Sequence, residues 1–213
     1  LNQGEIREEL LWEISQLFPF VQIDNLAIKF YELEKGILAG RNNALVIALN
    51  KKYLLLIKSF CLKNNLTPRL VDNSSISANS FLNNSTKTEK GSVTVNIFNS
   101  RHSITLFVNI FSKPVYVKVF QKQDDGIMSR IIEILSQENF KNVLSNPLRK
   151  GFISGEDVGA DSVSELKNVT GLMFEKFNPF EFLRFKQGLQ STEISKEYFN
   201  TFTSVAGIAS RFT

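Results

Sequence analysis

The chain is poor in the residues that carry most cross-linking and catalytic chemistry. Among 213 residues there are one cysteine, one histidine, one tryptophan and two methionines. A single thiol, Cys61, cannot form an internal disulfide, so the chain is compatible with a reducing compartment. One histidine, His102, without Cys or His partners, rules out the common tetrahedral His/Cys metal site. It leaves a Ser-His-Asp triad open by count alone, yet there is no Gly-x-Ser-x-Gly elbow. No apolar stretch approaches the roughly 20 residues of a membrane-spanning helix, and no signal peptide is visible. The net charge is +4, with no basic run that would make a stripe for nucleic acid.

What is present suits a globular chain. Hydrophobic residues make up 43% and charged residues 22%, enough apolar material for a real core. Phenylalanine is abundant at 19 residues, as expected for core and inter-element packing. Cys61, inside an apolar run, is expected to be a small buried hydrophobe. The length fits one large or two small domains. The first residue is Leu1 rather than Met, so a fragment or processed chain is expected.

Periodicity orders the elements. Ile6, Leu10, Leu11, Ile14 and Leu17 recur at three and four, which predicts an amphipathic helix over residues 4–17. Pro19 ends it. Strands are expected over 26–33 and 44–49, the second almost wholly apolar, as if covered on both faces. A helix over 51–64, a strand over 68–72 and a helix over 74–82, capped by Asn73 or Ser74, follow. Residues 83–90 read as a loop. Further on, helices are predicted over 126–139 and 161–169, one or two helices over 194–211, and strands over 151–154 and 172–175. Residues 1–72 and 73–213 read as two lobes of mixed α/β character.

Residues 91–120 are the most informative stretch. Three runs rich in β-branched and aromatic residues are separated by turns at Asn99-Ser100-Arg101 and Ser112-Lys113-Pro114. They predict an antiparallel three-stranded meander. An α/β segment precedes it and helix–strand units follow. That order resembles half of an actin-like ATPase core. Asn96-Ile97-Phe98 falls where that family places the Asp-x-Gly turn that cradles phosphate and organises a metal ion. Ser154-Gly155-Glu156-Asp157 is similar to its Ser-Gly-Gly adenosine turn. Glu9 through Pro19-Phe20 resembles a family helix ending in Pro-Phe. Ala44 to Leu49, and then Leu70-Val71-Asp72, are similar to a strand–helix–strand unit closing in Val-Asp. Asn178-Pro179-Phe180 and Val205-Ala206-Gly207-Ile208-Ala209-Ser210-Arg211 fit its C-terminal patterns. Together these resemble the PilM branch, cytoplasmic actin-like proteins of type IV pilus assembly. No single motif is specific, but the ordered set covers nearly the whole chain.

The resemblance implies an actin-like, ribonuclease H-like core half over 73–213 and a small inserted α/β subdomain over 1–72. It places the family's N-terminal strands, with their own phosphate turn, before Leu1. It assigns Asn96, Thr105, Ser154, Gly155 and Glu156 to the nucleotide side. Asn96 removes the metal-organising charge, and Phe98 puts a side chain where a phosphate turn needs glycine. A degenerate ATP/Mg site is therefore expected, with a plain packed strand and turn as the alternative. Asp124-Asp125 and Glu156-Asp157 read as caps or solvated turns rather than acid–base pairs.

Trp12, Phe18, Phe20 and Phe30 make an aromatic-rich N-terminal group, either core or a groove for a partner peptide. In PilM-like proteins the cytoplasmic tail of a bitopic inner-membrane protein binds near the inserted subdomain. The resemblance thus implies a cytoplasmic scaffold of a type IV pilus or related secretion assembly, peripheral to the inner membrane and able to form homo-oligomers. The competing expectation is an active Mg-ATP-dependent ATPase or phosphotransferase of the same superfamily, which needs an Asp-x-Gly turn this chain does not contain.

Overall fold

The computed structural model describes residues 2–33, 44–86, 92–146, 149–156, 160–183 and 196–212. The chain divides into two units. One comprises Leu1–Glu32 and Ala44–Val71, the other Leu33–Asn43 and Asp72–Thr213.

In the first unit, helix α1 (Gln3–Leu17) starts at a capping box: the Asn2 side chain accepts from Gly4 and Glu5, and Glu5 accepts from the Asn2 backbone. This satisfies amides that have no partner inside the helix. Strands β1 (Leu26–Glu32) and β2 (Ala44–Asn50) form an antiparallel ribbon, with Leu26 opposite Asn50 and Glu32 opposite Ala44. Helix α2 (Lys51–Lys63) is capped by Asn50 and closed by Asn65 at a left-handed φ of 56°. Asparagine tolerates that conformation, as expected at a helix end.

Three expectations fail here. The β2 strand is not covered on both faces: its residues are half-buried or exposed. Cys61 is only half-buried, on a helix that buries none of its residues. Residues 68–71 form no ladder, although exposure alternates along them. Apolar composition favours enclosure, but enclosure needs a neighbour.

The second unit is built on a five-stranded sheet of order β5-β4-β3-β6-β7. Strands β3 (Val93–Asn99), β4 (Ser103–Ile110) and β5 (Lys113–Gln121) are the expected meander. Its second turn lies at Phe111 and Ser112, earlier than expected, both with positive φ. Two successive left-handed residues match the twist of a tight hairpin. Strands β6 (Arg149–Gly155) and β7 (Phe174–Lys176) add in parallel. Helix α3 (Ser74–Ser85) precedes the sheet, and Asn73 is its cap, accepting from Ser75 and Ile76. It runs through residues expected to be loop; residues 87–90 lie outside the described ones. The single helix expected over 126–139 breaks at Gln137 into α4 (Ile127–Ser136) and α5 (Glu138–Leu144). Helix α6 (Ala160–Thr170) lies between β6 and β7. The C-terminal stretch is a 3-10 turn, α7 (Thr203–Ala209) and another 3-10 turn.

Alternation along β3 sorts the two faces. Val93, Val95 and Ile97 join Leu106, Val108, Ile131, Leu135, Phe140 and Leu166 in the main core with α4, α5 and α6. Tyr116 packs edge-on against Phe140 at 4.9 Å, and burial pushes its phenol up. The opposite face meets α3, whose Phe81 and Leu82 cluster with Phe152, Phe177 and Ala206 of α7.

Asp72 accepts a 2.7 Å ion pair from Arg211 and a 2.6 Å hydrogen bond from the Ser77 hydroxyl. The Asp72 side chain is almost fully enclosed and that of Arg211 partly so. Asp72→Ala is expected to cost about 1–2 kcal/mol, as for a charged hydrogen bond with one partly wet partner. A urea double-mutant cycle with Arg211→Ala checks this; a coupling near zero would refute the pairing.

Candidate functional site

On the α3-facing side of the sheet, cross-strand register sets residues in rows. Asn109 and Lys150 flank Thr94, Phe107 and Phe152 flank Asn96, and Thr105 and Ser154 flank Phe98. Three of the five residues expected at the nucleotide side, Asn96, Thr105 and Ser154, therefore share one face. Phe98 sits between Thr105 and Ser154, and the exposures are 6% for Phe98 and 3% for each of the other two. Cβ atoms of such neighbours lie about 5 Å apart, so Phe98 stands between Thr105 and Ser154 on this face.

Asn96 is tied down from α3. Its Nδ2 donates to Asn79 Oδ1 at 2.7 Å and to Asn83 Oδ1 at 3.3 Å. Asn79 and Asn109 exchange amide hydrogen bonds at 3.1 and 3.2 Å. Thr94 Oγ1 donates to Asn83 Oδ1 and accepts from Asn109 Nδ2, both at 3.2 Å. Asn83 Nδ2 reaches the Ser112 carbonyl at 3.3 Å. All five residues are buried. The network is uncharged throughout, and Asn96 Oδ1 has no partner among the described residues. Sequence reading found Asn96 and Thr105 but missed Asn79, Asn83, Thr94 and Asn109. The signal was there: Ser75, Asn79 and Asn83 recur every four residues, a polar stripe on the buried face of α3.

Gly155 and Glu156 close the other end. Gly155 has φ +99°, and a Cβ there would stand 1.9 Å from the Asn99 carbonyl oxygen. Glu156 N–H donates to that same oxygen at 2.7 Å, and Asn200 Nδ2 donates to the Gly155 carbonyl. The turn is thus pinned to β3 and to the C-terminal segment. The Glu156 side chain is exposed, and Asp157 and Gly159 lie outside the described residues. His102 is exposed, and Asp124 pairs with Arg130 at 3.3 Å on the surface. The N-terminal aromatics do not make a core. Trp12 and Phe18 are exposed and Phe20 is 98% exposed, while Phe30 on β1 is half-buried.

No protein-family model matches the chain, and no curated protein matches it. Solved structures do. The chain is similar to one in a PilM-PilN type IV pilus biogenesis complex, at 17% identity and a TM-score of 0.68, over 99% of this chain and 73% of that one. A Bacteroides thetaiotaomicron protein with an actin-like ATPase fold and unknown function is similar at 11% identity and a TM-score of 0.52, over 81% of this chain and 61% of that one.

A magnesium nucleotide would need a carboxylate and an open backbone turn at this end of the sheet. Asn96 is neutral and its amide donates to α3. Phe98 fills the position where backbone amides would have to approach a phosphate. Among the described residues no group of three or more His, Cys, Asp or Glu could hold a metal ion. The chain has the actin-like ATPase fold in its PilM-like form.

Proposed function

We propose that this chain is a PilM-type component of type IV pilus assembly that works by binding partners rather than by turning over nucleotide. The observation that carries the reading is the row Thr105–Phe98–Ser154, with Asn96 beside it held by Asn79 and Asn83. Side chains and amide–amide bonds take the place of the charge and the open backbone that a phosphate turn requires. The sheet and α3 are joined directly by side-chain hydrogen bonds.

A scaffold needs a surface. Trp12, Phe18 and Phe20 supply exposed aromatic area, the kind that dominates interface energetics. The similar solved chain comes from a complex of PilM with PilN. The partner proposed here is accordingly the tail of an inner-membrane protein, with this chain on the cytoplasmic side. Among the described residues no helix is long and apolar enough to cross a membrane.

Calorimetric titration with Mg-ATP tests the first part. No heat and no rise in melting temperature at millimolar nucleotide are expected. Saturable binding in the micromolar range would overturn the reading in favour of a nucleotide-gated scaffold. The second part predicts that Trp12→Ala with Phe20→Ala weakens capture of a synthetic partner tail at least about tenfold, the loss of a single hot spot. Unchanged affinity would remove these aromatics from the interface.

A further inference from the structure

Phe111 and Ser112 turn the β4–β5 hairpin with φ of 53° and 65°. Asparagine and glycine adopt such a left-handed pair far more readily than a bulky side chain does. The turn is held in place all the same. The β4–β5 register shifts between Val108 and Asn109 just before it. Phe111 N–H donates to the Ser92 carbonyl at 3.2 Å, and the Ser112 carbonyl accepts from Asn83 Nδ2. The residue so fixed is 58% exposed. Strain kept at an exposed aromatic points to a use for that side chain. The hairpin lies at the end of the sheet opposite the Gly155–Glu156 turn. There Val93 is flanked by Ile110 and Arg149, and Ile110 by Lys113. Arg149 reaches the Leu144 carbonyl, so α5 ends here too. Lys167 lies in the last turn of α6, and the chain continues to Met173, whose carbonyl accepts from Gly151 N–H. Lys113, Arg149, Lys150 and Lys167 are exposed, and Met173 is 60% exposed. The described residues that close this end, 83–86, 92–93, 110–113, 144–146, 149–150 and 167–173, include no Asp or Glu. Residues 87–91 lie outside the described ones.

Charges of one sign around exposed apolar side chains are what a surface lying on an anionic membrane presents. We propose that this end of the second unit rests directly on an anionic lipid surface. Phe111 and Met173 enter the headgroup layer, and Lys113, Arg149, Lys150 and Lys167 face the lipid phosphates. Two observations favour lipid over a protein pocket. Phe111 follows β4 and Met173 precedes β7, three strand spacings or about 14 Å apart, with Arg149 and Lys150 on the strand between them. A fluid surface accepts two separate apolar wedges, whereas a protein hot spot is one contiguous packed cluster. The clamped turn also has little freedom left to lose on insertion. The contact needs neither a partner tail nor a nucleotide, so its failure and the failure of the reading above are separate results.

The test is flotation of the whole chain with vesicles of phosphatidylcholine alone and of phosphatidylcholine mixed with phosphatidylglycerol. Binding to the mixed vesicles only is expected, and it should fall as salt rises. Phe111→Asn is the diagnostic variant, because asparagine tolerates the left-handed turn. It should melt at or above the parent's temperature and still bind the mixed vesicles about tenfold more weakly, the scale of one large apolar side chain withdrawn from burial. Lys113→Gln with Lys150→Gln should also weaken binding at least about tenfold, as expected for two lysines near an anionic surface. Three results would overturn the proposal: no flotation with the mixed vesicles, equal flotation with both compositions, or unchanged affinity in either variant. Tighter binding to soluble polyglutamate than to the mixed vesicles would also overturn it, because the surface would then suit an acidic protein.

Discussion

Replacing Gly207 with alanine is expected to lower the melting temperature by roughly 6–12 °C, about 3 kcal/mol of lost stability at 2–4 °C per kcal/mol for a chain of this length. A Cβ at this position would stand 2.0 Å from the Ser77 carbonyl oxygen and 2.5 Å from its carbon. Both are backbone atoms of α3, so no side chain can rotate away. The two helices must separate, and with them the packing of Ala206 against Phe81 and Leu82. The contact belongs to a closed ring: Gly207 meets Ser77, Ser77 bonds Asp72, and Asp72 pairs with Arg211. This gives a physical content to the C-terminal pattern of small residues ending in arginine. Circular dichroism melting checks it. A variant melting within about 2 °C of the parent, the shift of less than 1 kcal/mol, would show that α7 does not approach α3 this closely.

What could be read from the sequence follows from how local each cause is. The meander was legible because β-branched alternation between polar turns depends only on neighbours in sequence. Helix α1 was legible from its spacing and α3 from Asn73. The break at Gln137 was not, because α4 and α5 both carry helical spacing. The elements β2 and α2 were legible, but their exposure was not, because an apolar run shows what a segment avoids, not what it touches. Residues 68–72 have strand composition, but a strand exists only with a partner. The site divided the same way. Asn96 and Phe98 could be placed from their position in the meander. Asn79 and Asn109, 30 residues apart in sequence, could be paired only by the fold. Likewise, Asp72 and Arg211 fall in separate sequence patterns, while their ion pair spans nearly the whole second unit.

Asn96→Asp asks directly whether the amide network has replaced a charged site. The carboxylate would be isosteric but would have no hydrogens to give. Asn79 Oδ1 and Asn83 Oδ1, which now accept from Asn96 Nδ2 at 2.7 and 3.3 Å, would face a negative oxygen. Turning the Asn79 amide to supply a donor would break its reciprocal pair with Asn109. The hydrogen-bonding groups around it are those of Asn79, Asn83, Thr94 and Asn109, so none carries a cation. At pH 7 the variant is expected to be about 3 kcal/mol less stable than the parent, the scale of a buried charge without a partner. Burial and the facing acceptors would raise the folded pKa of the new carboxyl above its unfolded value of about 3.9. For a group shifted upward, folding is favoured while it stays protonated, and that benefit is lost as pH rises through the folded pKa. The deficit should therefore shrink as pH falls towards 4, where the carboxylic acid can donate one hydrogen bond. Urea unfolding across that range, with Asn96→Leu as a control whose deficit does not vary with pH, measures it. A deficit independent of pH would mean that the carboxyl reaches solvent and that the network is not closed. A variant that regains the parent's stability on addition of Mg-ATP would mean that the phosphate turn is intact apart from one charge, with Phe98 able to leave the space between Thr105 and Ser154. The expected absence of such rescue follows from the packing, since restoring the charge alone leaves the ring in place.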